Sequence, residues 1–257
     1  MPSEFHQTHG KVRNTAGELY YFYRIAFISR NSLLCPNNSK MTLLTIALAP
    51  VLIILVYIYF RDRYEKEPVG QLLKGLFAGA FITLPIIFAE NILSIPVQDT
   101  PGLSNAAYHS FIVAGLSEES FKFLAVFLLF WRNREFNERF DGIVYAVFVS
   151  LGFAAVENIM YVFDSGIETG LLRAVTAVPA HALFGITMGY YIGLAKFLPD
   201  QKQKLLFKAF FYPLILHGIY DFLLLSAHPV LLLLFIPYLI YLWRNGSKKM
   251  KQISAQS

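Results

Sequence analysis

Ionisable side chains interrupt several otherwise apolar stretches of this 257-residue chain. An ionisable group at the centre of a bilayer costs roughly 2.5–3.5 kcal/mol, so such residues are functional candidates by default. The candidates are Glu118, Glu119 and Lys122 in one stretch, Glu157 and Asn158 in the next, then His181, and finally His217 and Asp221. Carboxylates and imidazoles together suit water activation, metal binding or proton transfer. The residue types therefore predict one of these chemistries inside a membrane.

Helical spacing places several of these groups within reach of one another. Lys122 lies four residues after Glu118 and three after Glu119, so one carboxylate can pair with it while the other stays free. His217 and Asp221 are also four residues apart, so the aspartate can orient the imidazole. Each pair also has a purely structural interpretation, as a buried ion pair or a contact between helices.

Long apolar segments must carry these residues. Hydrophobic residues make up 56% of the chain and charged residues only 15%, with a mean hydropathy of +0.49. Soluble domains carry about 25% charged residues, so the composition excludes both a soluble globular protein and a disordered chain. A helix crosses the hydrocarbon in about 20 apolar residues. Seven candidate spans follow, at 42–60, 69–97, 107–131, 142–163, 171–195, 207–226 and 229–243. The predicted fold is an all-α, polytopic membrane bundle.

Basic residues concentrate in alternate connections between these spans. The segments 61–74, 132–141, 196–208 and the tail 244–257 hold fifteen of the 22 lysines and arginines. The connections on the opposite side contain a single basic residue, Arg173. The positive-inside rule then predicts an external N-terminus and a cytoplasmic C-terminus. Because the charges are spread over loops and form no basic face, nucleic acid is excluded as a partner and the lipid bilayer is expected instead.

The depths of the candidate residues coincide. At about 1.5 Å per residue from the outer end of each span, Glu118 lies about 16 Å deep and Glu157 about 9 Å. The same count puts His181 and His217 at about 15 Å and Asp221 at about 9 Å. Four spans are thus predicted to bring ionisable groups together in the outer half of the membrane.

The chain divides into three predicted segments. Residues 1–40 form an extension, interpreted either as a poorly ordered tail or as sequence upstream of a true start at Met41. Residues 41–243 form the membrane-embedded domain, and 244–257 a basic cytoplasmic tail. The single cysteine, Cys35, lies in the extension and excludes both an intramolecular disulfide and a cysteine-cluster zinc site.

Four motifs in order resemble a known family. They are the EExxK pattern at 118–122, then 140-FDGIVYAVFVSLGFAAVEN-158, 173-RAVTAVPAHALFGITMGYYIG-193 and 217-HGIYD-221. This order resembles the PrsW intramembrane proteases, within the wider CAAX-protease and bacteriocin-processing superfamily. The segment 61-RDRYEKEP-68 is also typical of that family.

The resemblance implies a function in the bacterial cytoplasmic membrane. Such a protease makes the first (site-1) cut in a single-pass membrane anti-sigma factor, and so releases an extracytoplasmic-function sigma factor in envelope stress signalling. Carried over by motif, the catalytic residues are Glu118, Glu119, Glu157, His181 and His217. Lys122, Asn158 and Asp221 support them. Asp221 stands where related CAAX proteases have asparagine.

Two mechanisms fit these residues. In the first, Glu118 is a general base for water while Lys122 restrains Glu119, and the histidines donate to the oxyanion or the leaving amine. In the second, a divalent metal such as Zn²⁺ is held by Glu118, Glu157, His181 and His217. The chain lacks an HExxH pattern, so no cofactor is fixed by sequence.

Two other function classes compete with proteolysis. A proton- or ion-coupled transporter also uses carboxylate and histidine chains, but it predicts inverted repeats and broken helices that the sequence does not display. A non-catalytic membrane scaffold is the other alternative, and the acidic motif residues Glu118, Glu119 and Glu157 count against it.

Overall fold

The structure is a computed structural model that describes residues 37–62, 65–97 and 102–255. In these ranges the chain is helical and contains no strand, which confirms the predicted all-α class. The α-helices are α1 (Asn37–Arg61), α2 (Val69–Ser94), α3 (Leu103–Tyr108), α4 (Ser117–Phe130), α5 (Asp141–Val175), α6 (Ala177–Phe197), α7 (Lys202–Leu225) and α8 (Pro229–Ser254). A π-helix, His109–Leu116, joins α3 to α4, and short 3₁₀ turns follow α2 and α6.

Five stretches of the described chain are long and apolar enough to cross a membrane: Lys40–Arg61, Val69–Val97, Asp141–Phe197, Pro199–Leu225 and Pro229–Ser254. The third is 57 residues long and contains both α5 and α6. The segment predicted as the third span, 107–131, is helical but carries Glu118, Glu119 and Lys122. The chain is therefore a polytopic membrane protein, and the number of seven spans stays a prediction.

Helix α5 reverses direction at Gly166. This residue has φ 83° and ψ −169°, a backbone conformation that favours glycine. Residues after it fold back on the helix, as shown by Gly170, where an added Cβ would lie 2.9 Å from a methyl group of Val162. An unbroken helix would hold these residues about 12 Å apart. The reversal falls in the connection predicted between the fourth and fifth spans.

The core of the bundle is formed by α5 and α6. Residues 141–154 of α5 and 177–189 of α6 are buried without interruption, as a helix that is apolar on all sides requires. Helices α1 and α2 pack on α5, and α7 and α8 pack on α6. Large apolar side chains such as Phe77, Phe81 and Leu233 are exposed on the outer helices, where the bilayer covers them.

Most of the predicted N-terminal extension, residues 1–36, lies outside the described residues, and α1 begins at Asn37. The predicted basic tail continues α8, which runs without a break to Ser254. Its apolar residues Met250 and Ile253 are buried against the bundle.

Close approach of α5 and α6 depends on glycine. A Cβ atom on Gly189 would overlap the carbonyl oxygen of Gly142 and the Cα of Ile143. We therefore expect Gly189→Ala to destabilise the protein by about 1–3 kcal/mol, the usual effect of overpacking. Thermal unfolding in detergent micelles measures this effect. Gly70→Ala, at the start of α2 with nothing within 4 Å of its Cβ, should leave the midpoint unchanged or slightly higher. Equal midpoints for the two variants would contradict the packing described.

Candidate functional site

The acidic pair follows directly on the π-helix. Each turn of a π-helix holds more residues than an α-helical turn, and such segments occur often at functional sites. Glu118 and Glu119 lie in the first turn of α4 and are 2% and 0% exposed. Both side chains therefore point into the bundle from its first turn.

One half of the site joins α4 to α7. The Lys122 ammonium lies 3.1 Å from Glu118 Oε2 and 2.8 Å from Glu119 Oε1. His217 Nδ1 is 2.9 Å from Glu119 Oε1, and its Nε2 is 3.3 Å from Asp221 Oδ2. The same Nε2 lies 3.9 Å from Glu118 Oε2. Both nitrogens of this ring thus face carboxylate oxygens, which a doubly protonated imidazolium satisfies by donating twice.

The other half joins α5 to α6. Glu157 Oε2 lies 2.9 Å from His181 Nε2 and 2.8 Å from the guanidinium of Arg173. Arg173 Nε also donates to Asn158 Oδ1 at 2.9 Å, and Asn158 donates to the carbonyl of Ala47 on α1 at 2.8 Å. The planar guanidinium therefore orients Glu157 and Asn158 together.

Lys122 connects the two halves, because its Nζ also lies 3.3 Å from His181 Nδ1. An ammonium has no acceptor, so Nδ1 of His181 accepts this bond. The ring proton then sits on Nε2 and is donated to Glu157. The contacts thus fix which tautomer of His181 is present.

Aromatic rings close the site. Lys122 Nζ lies 4.3 Å from the centroid of the Phe153 ring, a cation–π contact. Phe184 stacks on His217 with centroids 5.0 Å apart, and the rings of His181 and His217 meet edge to face at 5.5 Å. These rings surround the ionisable groups with apolar surface and strengthen the interactions among them.

All eight residues selected from the sequence lie in this one network. Sequence reasoning missed Arg173, although it had identified this residue as the single basic group in the outer connections. It reaches the site because the chain reverses at Gly166, which brings residue 173 back beside residues 157 and 158. It also missed the contact of Phe184 with His217, which depends on the packing of α6 against α7.

A family model described as "PrsW family intramembrane metalloprotease" matches residues 67–242, which include every residue of this network except Ala47. The chain belongs to the PrsW family. It is 39% identical to Protease PrsW of Clostridioides difficile over 219 residues, which cover 83% of this chain and 92% of that protein. It is 36% identical to Protease PrsW of Bacillus subtilis over 211 residues, which cover 82% and 94%. No solved structure matches.

Membership of the PrsW family makes the chain an intramembrane peptidase and confirms the resemblance seen in its motifs. It also implies a metal. One group of described residues offers suitable ligands: Glu118, Glu119 and His217 each have a donor atom within 4.8 Å of the others, and all three are buried. We call these three residues the carboxylate–histidine group.

The carboxylate–histidine group fits a divalent metal on two observations. Glu119 Oε2 is buried and has no hydrogen-bond partner in the described part of the chain. Two carboxylates and one imidazole are also a ligand set that catalytic zinc sites use. Two of the ligands predicted from the sequence, Glu157 and His181, contact each other and are separated from this group by the Lys122 ammonium. Glu119, which was not among the predicted ligands, belongs to the group instead.

The Lys122 ammonium hydrogen-bonds to side chains of both halves of the network, so its removal has a large expected effect. Lys122→Met keeps the length of the side chain but leaves Glu118 and Glu119 buried without their cation. Breaking a buried ion pair on one side costs about 3–5 kcal/mol. We expect a correspondingly lower unfolding midpoint in micelles.

The matched control is Lys204→Met, which removes one charge from an exposed position of α7. Its midpoint should equal that of the unchanged chain. If Lys122→Met is as stable as this control, the ammonium does not hold the network together.

Proposed function

We propose that this peptidase makes the first (site-1) cut in a single-pass membrane protein of the anti-sigma-factor type, and so releases an extracytoplasmic-function sigma factor. The observation that supports this best is the buried network of carboxylates and histidines in a chain of the PrsW family. The anti-sigma-factor substrate is an extension of the motif resemblance.

In the proposed reaction the two halves of the network have separate tasks. Glu118 accepts a proton from the attacking water, and Lys122 holds Glu119 and Glu118 in place. Glu118 then passes this proton to the leaving amine, which returns the carboxylate to its starting state. His181 stays neutral with its proton on Nε2, and Arg173 keeps Glu157 oriented toward that ring. A metal held by the carboxylate–histidine group would supply Lewis-acid activation of the water and the scissile carbonyl.

Glu118→Gln tests this proposal directly. It preserves the shape of the side chain but removes the proton acceptor and a carboxylate ligand. We expect cleavage of a co-expressed anti-sigma factor to fall by about 10²-fold or more, a general-base magnitude. Immunoblotting of the tagged substrate measures the loss.

The control for that experiment is Glu168→Gln, which removes an exposed carboxylate from the segment after Gly166. It should cleave the substrate normally at an equal level of membrane-inserted protein. Near-normal cleavage by Glu118→Gln would eliminate Glu118 as the base. If the unchanged chain does not cleave the anti-sigma factor tested, that protein is not its substrate. A panel of other anti-sigma factors is then tested in the same way.

The site of cleavage follows from the predicted topology. With the basic connections in the cytoplasm, the ionisable groups lie about 9–16 Å from the outer surface by helix rise. A substrate helix cannot be cut while its amides are bonded within the helix, so its nearer end must unwind. The proposed cut therefore falls in or just outside the outer part of the substrate's span and leaves a stub for a second protease.

Reporter fusions test the orientation. Fusions at Asn105 and Gly166 should report the external side of the membrane, and a fusion at Asn133 the cytoplasmic side, because the fifteen basic residues lie in the connections of the latter side. Alkaline phosphatase and fluorescent-protein reporters give opposite readings at each position. A cytoplasmic signal at Gly166 would overturn the orientation and the proposed side of cleavage with it.

A further inference from the structure

The C-terminal end of α8 has an inward and an outward face. Gly246 and Ile253 lie on the inward face and are buried against the bundle. The outward face carries three exposed basic side chains, Arg244, Lys248 and Lys251. These three residues are spaced by four and three positions, so they lie on one side of the helix. None of them takes part in the chemistry described above.

A shallow, open pocket of about 530 Å³ lies on this outward face. It is lined by six residues of α8: Trp243, Arg244, Ser247, Lys248, Lys251 and Gln252. A guanidinium, two ammonium groups, a hydroxyl, an amide and an indole thus supply hydrogen-bond donors around it. This set of groups favours an anionic ligand.

The protein itself does not neutralise these cations. The chain contains no aspartate or glutamate after Asp221. No ion pair joins Arg244, Lys248 or Lys251 to another residue that the structure describes. Their counter-ions therefore come from outside the described part of the chain.

The contacts of the inward face hold these charges in place. An added Cβ at Gly246 would lie 2.5 Å from a methyl group of Leu183, so α8 packs directly on α6 at this level. The Tyr190 hydroxyl of α6 also donates to Gln252 Oε1 at 3.4 Å. Because the helix is already ordered, a ligand on its outward face pays little for ordering the chain.

The outward face continues into apolar surface along the same side of α8. Ile236 and Ile240 stand eight and four residues before Arg244, and both are exposed. Trp243 is exposed beside them, and tryptophan is enriched where hydrocarbon meets headgroups. From Trp243 to Lys251 the helix rises about 12 Å, which carries the basic side chains from that boundary into the headgroup layer.

We propose that the outward face of α8 binds an anionic phospholipid, with its headgroup among Arg244, Lys248 and Lys251. The guanidinium suits a phosphate group because it can donate two parallel hydrogen bonds to it. The acyl chains lie along Ile236 and Ile240, which favours a lipid over a free anion of the same headgroup chemistry. The predicted topology makes this leaflet the cytoplasmic one.

Tryptophan fluorescence tests the proposal at the site itself. The chain has two tryptophans, so Trp131→Phe leaves Trp243 as its single indole. This full chain is reconstituted in phosphatidylcholine bilayers that contain phosphatidylglycerol with brominated acyl chains, because bromine quenches an indole in contact with it. Each basic residue near anionic lipid raises the affinity about fivefold. We therefore expect Trp243 to prefer brominated phosphatidylglycerol over brominated phosphatidylcholine by about 10²-fold at low salt. Equal quenching by the two lipids would overturn the proposal.

Two triple variants in the Trp131→Phe background separate this site from the general surface potential. Arg244→Gln, Lys248→Gln and Lys251→Gln together remove the charges of the outward face, and the preference should disappear. The matched control removes three exposed cations from other connections, by Arg132→Gln, Arg134→Gln and Lys204→Gln. It should keep the preference at the same net charge. Equal preferences in the two triple variants would contradict a site on α8.

Inorganic phosphate separates a lipid from a free anion. Added at the same ionic strength as a sodium chloride control, it should leave the quenching by brominated phosphatidylglycerol unchanged, since salt screens both samples equally. Displacement of the lipid by phosphate alone would show a site for free anions instead. None of these measurements uses a peptide substrate, so their outcome is independent of the proposed proteolytic function.

Discussion

The site depends on one buried ammonium. Lys122 is 1% exposed and lies within 3.3 Å of Glu118, Glu119 and His181. Without this cation, the two buried carboxylates would repel each other and would be left without water or a partner to replace it. Its position also restricts the others: because it donates to Nδ1 of His181, that ring must donate from Nε2 to Glu157. Lys122, in the first half of the network, thus sets the orientation of the His181 ring in the second half.

The helices can bring these groups together because α5 and α6 approach closely along glycine. Contacts of backbone on backbone at Gly142 and Gly189 allow short separations that larger residues prevent. Glu157 and His181 then meet across the same pair of helices. The reversal at Gly166 adds the last cation, Arg173, from the other side. A small number of backbone features therefore supplies the geometry on which the ionisable residues rely.

The sequence predicted which residues form the site better than it predicted the contacts among them. An ionisable residue in an apolar stretch is conspicuous, so all eight candidates could be found, and a common depth followed from counting residues along the spans. The contacts of Arg173 could not be found in this way, because they depend on the positive φ at Gly166, where the chain reverses and brings residue 173 back beside residues 157 and 158. The π-helix before Glu118 was equally hidden, since the sequence 109-HSFIVAGL-116 has the composition of any apolar helix. Glu119 was assigned to Lys122 alone because its second contact, with His217, joins residues 98 apart.

The charge balance of the network explains why a metal and a proton are alternatives in it. Four carboxylates, Glu118, Glu119, Glu157 and Asp221, face two permanent cations, Lys122 and Arg173. With both imidazoles neutral, two negative charges remain in surroundings of low dielectric constant. A proton on His217 removes one of them, and its ring nitrogens face two carboxylates in the way that an imidazolium requires. A divalent ion held by the carboxylate–histidine group removes both, and it requires the ring to release a proton and offer a nitrogen lone pair. The remaining negative charge therefore favours a divalent cation in addition to Lys122 and Arg173. The unpartnered oxygen Glu119 Oε2 belongs to the carboxylate–histidine group and is available to bind this cation.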